Sequence, residues 1–241
     1  WLAAVSFHLK DQARAIEFLQ QIETQAHRLP YPLLVRALSL AARFQAWMLL
    51  ERLLKKQIAR CENDPLASDK LPSLYQQLGF FYEYTLRQPQ QALSAYRLVL
   101  ALSPQSVVVL ERAETLCGRL ERFDEQAEYL TRLLPKASDR KERARLLVRL
   151  AHAHAQCARW PLALVSLREA WQADPEMASA RSMIHNLEEL LGSVEPSEMA
   201  EMAKISNPPP NLRTQSNELF PDIESPVSSP STRLAAPLRP S

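Results

Sequence analysis

The chain has 241 residues, 46% hydrophobic and 23% charged, with a formal net charge of +2. That near-balance leaves no basic footprint of the kind a nucleic-acid-binding surface needs. Only three glycines are present, Gly79, Gly118 and Gly192. They are too few for the turns of an all-β fold or the phosphate loops of a nucleotide-binding α/β fold, whereas Leu, Ala, Gln, Glu and Arg are abundant and favour helix. The fold class expected is therefore all-α.

Apolar residues recur at helical spacing along the chain. The first such pattern is "WLAAVSFHL" (1–9), and because the chain starts inside it, at Trp1 rather than a methionine, it reads as a fragment. Further patterns follow at 13–22, 32–42, 46–58, 71–84, 89–102, 107–120, 124–134, 143–158, 162–173 and 178–191. The breaks between them are short, which makes neighbouring helices antiparallel. The exception is the longer loop "RCENDPLASDK" (60–70). Nine of the eighteen prolines fall in 196–241. There 196–205 is expected to form one more short helix and 206–241 a disordered tail, because the segment has too little apolar surface to offset ordering entropy.

Punctuation repeats. In "CARWPLALVSLREAWQADPE" (157–176), Pro161 lies in the first turn of a helix and Pro175 just past its end. "ARF" (42–44), "LRQP" (86–89), "ERF" (121–123) and "ARW" (158–160) each separate two helical patterns. Their spacing of about 35–44 residues is the period of a helical solenoid.

One stretch carries Tyr75, Leu78, Gly79 and Tyr82, then Ala92, Tyr96 and Pro104, with one extra residue assigned to the turn. A second carries Leu147, Leu150, Ala151 and His154, then Ala163, Leu167, Ala170 and Pro175. These resemble the tetratricopeptide repeat, W-x2-L-G-x2-Y, then A-x3-F, then P. The copy between them is degenerate (Leu110, Ala113, Gln126 or Ala127, Leu130), and residues 1–60 fit loosely through Ala15, Leu19 and Ile22. The domains expected are 1–60 with degenerate repeats, 71–195 with repeats and a capping helix, and 196–241 as short helix and tail.

The resemblance implies a right-handed α-α superhelix of about five helix pairs, its first helices lining a groove for a partner's peptide or helix. Groove residues would be Gln76, Phe80, Glu83, Arg112, Thr115, Arg119, Arg145, Arg149, His152 and Gln156. The subclass that grips a C-terminal carboxylate with Lys and Asn is not matched, since Gln76 and Phe80 stand at those places. Ala163 is expected at a helix crossing and Ser166 on the outer face.

Candidate chemistry is sparse. His152 and His154 are two residues apart on a helix and face nearly opposite ways, so they cannot chelate one ion. His154 fills a packing position and His152 faces the groove. Arg112, Arg119, Arg145 and Arg149 suit an acidic peptide, guanidinium being a bidentate partner for carboxylate. The plainer reading is a solvated face paired with neighbours such as Glu111, Glu114 and Glu142. No nucleophile, paired-carboxylate or phosphate-loop constellation has a supporting context. Cys61, Cys117 and Cys157 fit neither a disulfide framework nor a zinc spacing, pointing to buried thiols in a reducing compartment. No apolar run reaches the roughly 20 residues of a membrane span. The function expected is a protein-binding scaffold, with no catalysis, metal or cofactor, in the cytoplasm. The alternatives are the regulatory or substrate-recruiting part of a larger enzyme, or an envelope-assembly module. Ser225-Pro226, Ser229-Pro230 and the Pro237/Pro240 pair are docking or phosphorylation motifs, or a passive spacer.

Overall fold

Proline or a side-chain cap fixes where several helices of this chain begin. Pro65, Pro72, Pro89, Pro135 and Pro161 each sit at the first or second position of a helical segment, where the missing N–H costs nothing. Asp139 caps another, accepting from the Glu142 N–H at 2.6 Å, while Glu142 reaches back to the Ser138 N–H at 2.6 Å. A computed structural model describes residues 12–25 and 31–192. The α-helices among these residues are α1 (Gln12–Thr24), α2 (Tyr31–Arg43), α3 (Trp47–Glu62), α4 (Leu71–Phe80) and α5 (Pro89–Leu102). They continue as α6 (Val107–Arg119), α7 (Phe123–Leu133), α8 (Arg140–Gln156), α9 (Trp160–Ala173) and α10 (Ala178–Gly192). There is no strand among the described residues, and the fold is an all-α helical repeat. The pattern at 1–9, the helix at 196–205 and the tail at 206–241 lie outside the described residues.

The expected loop 60–70 is largely helical. Helix α3 runs on to Glu62, and Pro65–Lys70 forms a 3-10 helix whose start is capped by the Asp64 carboxylate, 3.0 Å from the Leu66 N–H.

Among the described residues four left-handed ones mark the repeat: Gln45, Arg87, Glu121 and Ala158, with φ of 55° or 56° and none of them glycine. They close the pairs α2/α3, α4/α5, α6/α7 and α8/α9. Three build the same helix end. The Ala158 and Arg159 N–H groups bond Ala155 O at 2.9 Å and His154 O at 2.8 Å. Gln45/Ala46 and Glu121/Arg122 repeat those two spacings. At Arg87 the Gln88 N–H instead reaches one residue farther back, to Tyr82 O at 2.9 Å.

That shift locates the extra residue of the second pair. Five residues after the left-handed position stand Ala92, Gln126 and Ala163, so the turns are equal in length. Seven residues before it stand Glu114 and Ala151, but Gly79 needs eight. The surplus residue is absorbed in the π-helical segment Phe81–Thr85 and not in the turn. A π segment takes up one residue by widening a single helical turn.

A side chain held at positive φ costs about 1–2 kcal/mol, and glycine there costs about 0.4–1 kcal/mol through the unfolded chain. Gln45→Gly and Arg87→Gly, both at exposed sites, should each stabilise the protein by about 0.5 kcal/mol in urea melts. Gln45→Val should destabilise it. The opposite ranking would mean these residues are not left-handed in solution.

Two compact units divide the chain, Trp1–Val109 and Leu110–Ser241. In the first, α2 packs on α3, α3 on α4 and α4 on α5, burying Leu34, Leu53, Leu93 and Tyr96 completely or nearly so. In the second, α7, α8, α9 and α10 pack in succession. Their core centres on Leu147, Ala151, Ala163, Leu167, Met183 and Leu187. Ala163 is fully buried, as a crossing residue should be. Ser166 is also buried, not on an outer face, and its hydroxyl donates to Leu162 O at 2.9 Å.

Candidate functional site

Within the first unit, the expected groove residues Gln76, Phe80 and Glu83 part company. Gln76 is half-buried. Phe80 stands edge-on to Tyr96 with ring centroids 5.9 Å apart, and 6.3 Å from the ring of Tyr84. Glu83 is buried and accepts the Tyr96 hydroxyl at 2.7 Å. The extra residue of the π segment turns this carboxylate inward, so it holds the core and does not line a groove. Two more phenols find carboxylates here, Tyr82 with Glu51 at 2.8 Å and Tyr75 with Glu62. Burial and the neighbouring Glu62 push the Tyr75 hydroxyl up to about 12.

The second unit holds the other seven. Arg119 and Arg145 are exposed, and Arg112, Thr115, Arg149 and His152 are half-buried. Gln156 is buried, with its Nε2 3.1 Å from His152 Nε2. It braces the histidine and does not face an open groove. His152 also meets Phe123 edge-on at 6.0 Å. Arg145, Arg149, His152 and Gln156 share one face of α8, since residues spaced by three and four align on a helix.

Buried in this unit lies a carboxylate the motif would not have placed there. Glu114 is fully buried and accepts Gln126 Nε2 at 2.7 Å. Arg149 donates to its other oxygen, and Thr115 Oγ1 lies 3.4 Å from that same oxygen. Glu114 and Gln126 occupy the register positions that hold Ala151 and Ala163 in the next pair and Gly79 and Ala92 in the previous one. Where those pairs let two backbones approach, this pair inserts two polar side chains hydrogen-bonded to each other. Gly118 leaves the room for them, because a Cβ there would sit 2.9 Å from Gln126 Nε2.

Arg149 is thereby committed to an ion pair between the first helices α6 and α8, with 31% of its side chain still exposed. The helix-face alternative, in which the arginines pair with neighbours such as Glu114, holds for this one. The available signal was positional: a Glu and a Gln at two places where the pairs on either side carry only Gly or Ala.

Among solved structures, the chain is similar to "MamA 41-end from Desulfovibrio magneticus RS-1". The identity is 18% over 80% of this chain and 96% of that one, with a TM-score of 0.45. It is also similar to BtubC (BKLC) from P. vanneervenii, at 16% identity over 96% of this chain and 99% of that one, with a TM-score of 0.39. No family model matches the sequence, and no curated protein does. Among the described residues no group of three His, Cys, Asp or Glu is placed to hold a metal ion, and no helix is long and apolar enough to cross a membrane.

His154 sits apart from His152, half-buried, with Nδ1 enclosed and unpartnered. Burial first, and then the Arg159 guanidinium, hold its pKa below 6.5, against a smaller opposing pull from Asp124. The fold therefore prefers the neutral ring. Its contribution is intact above pH 6.5 and is lost as the pH falls from there through the folded-state value. His154→Leu should flatten the decline of stability between pH 7 and pH 5, and an unchanged slope would show that the ring stays hydrated.

Proposed function

We propose that this chain is a protein-interaction scaffold of the tetratricopeptide type, without catalysis of its own. Its second unit would take an extended acidic peptide along the first-helix face. The observation that carries this reading is the state of Arg149. One edge of its guanidinium is fixed by a carboxylate with no exposure, while 31% of the side chain remains open. A guanidinium has five N–H donors in a rigid fork, so one partner does not exhaust it. A group already held in place loses less entropy when a second carboxylate arrives. Arg145, exposed one helical turn away, adds a second cation on the same face.

The test is fluorescence anisotropy of a labelled acidic peptide against the full chain. Binding should weaken at least tenfold between low and high salt, because exposed charges are screened within about 8–10 Å. Arg145→Glu should abolish it without changing the helical circular dichroism. Salt-insensitive binding, or an Arg145→Glu protein that binds as well as the parent, would remove the reading.

A further inference from the structure

We infer that the acidic stretch at 217–226 of this same chain, "NELFPDIESP", occupies the Arg145/Arg149 face of α8. The inference rests on the peptide-binding reading above and names its occupant. Residues 214–232 contain Glu218, Asp222 and Glu224 and no Lys or Arg, the charge a two-arginine face selects. Spacing agrees as well. Asp222 and Glu224 are two apart, so on an extended segment they share a side at roughly 6.6 Å. Arg145 and Arg149 are four apart on a helix, about 6 Å along its axis. Each carboxylate therefore meets its own guanidinium.

Reach does not oppose this. The described residues end at Gly192, the end of α10, 25 residues before Asn217. Such a tether spans at most roughly 85 Å. Helix α8, with 17 residues, is only about 25 Å long, and α8, α9 and α10 belong to one packed unit. An intramolecular occupant then competes with every external acidic ligand through its effective concentration.

The experiment compares the full chain with a full-length variant carrying Glu218→Gln, Asp222→Asn and Glu224→Gln, which leaves all described helices untouched. The probe is a labelled synthetic peptide of residues 214–226. The neutralised chain should bind it at least tenfold more tightly than the parent, and Arg145→Glu in the neutralised background should lose that binding. Equal affinity in parent and neutralised chains overturns the intramolecular occupant while sparing the acidic-peptide face. No binding by the neutralised chain overturns the face itself. Concentration-dependent dimers of the parent that vanish on neutralisation would also overturn the inference, by assigning the segment to a second copy.

Discussion

Arg149→Leu is expected to destabilise the protein by about 3 kcal/mol, read as a shift of the urea midpoint with an unchanged slope. Removing one partner of a buried ion pair strands the other, which costs about 3–5 kcal/mol. Glu114 has no exposure, whereas Arg149 is 31% exposed, so some water reaches the vacated site and the lower end applies. The gain from keeping the pair is smaller than the loss from breaking it, because both charges gave up hydration to form it. Glu114→Gln combined with Arg149→Leu should therefore recover more than half of the loss, the amide leaving no stranded charge beside Gln126. A cost below about 1 kcal/mol for Arg149→Leu is what an exposed pair is worth. It would show that the carboxylate is not sealed.

Helices were legible in this sequence because burying one stripe of each imposes a 3.6-residue period, and proline marks several helix starts. The patterns at 89–102 and 178–191 fold as Pro89–Leu102 and Ala178–Gly192. What escaped was whatever depends on which particular neighbour a side chain meets. Glu83, in the π segment that continues α4, and Gln156, at the end of α8, are polar, which reads as surface. Each is buried because one specific neighbour, Tyr96 or His152, satisfies it. The left-handed turn residues gave no glycine to signal them, since the helix-end hydrogen bonds hold Gln45, Glu121 and Ala158 in place. The surplus residue of the second pair could be counted from sequence but not located. A turn and a π segment both absorb one residue, and the choice is made by whether Glu83 can reach Tyr96.

That contact is the basis of the other large effect. Gly79→Leu is expected to cost 3 kcal/mol or more, and Gly79→Ala about 1–2 kcal/mol, the range and upper tail for overpacked cores. A Cβ at residue 79 would lie 2.4 Å from Tyr96 Cε1, 2.7 Å from Cδ1 and 3.0 Å from Cζ. The ring has nowhere to go. It is fully buried, its hydroxyl is tied to Glu83 at 2.7 Å, and Phe80 stands edge-on to it at 5.9 Å. Helix propensity acts in the opposite direction, since alanine is favoured over glycine by about 0.8–1 kcal/mol inside a helix. The sign of Gly79→Ala thus decides which effect wins. Shortening the obstacle isolates the clash: Gly79→Ala with Tyr96→Leu should be less harmful than the sum of the two single changes, a coupling within about 0.5–3 kcal/mol. A Gly79→Ala protein as stable as the parent, or strictly additive single and double variants, would show that α4 and α5 do not approach closely at this residue, and the repeat register drawn through Gly79 and Ala92 would have to be abandoned.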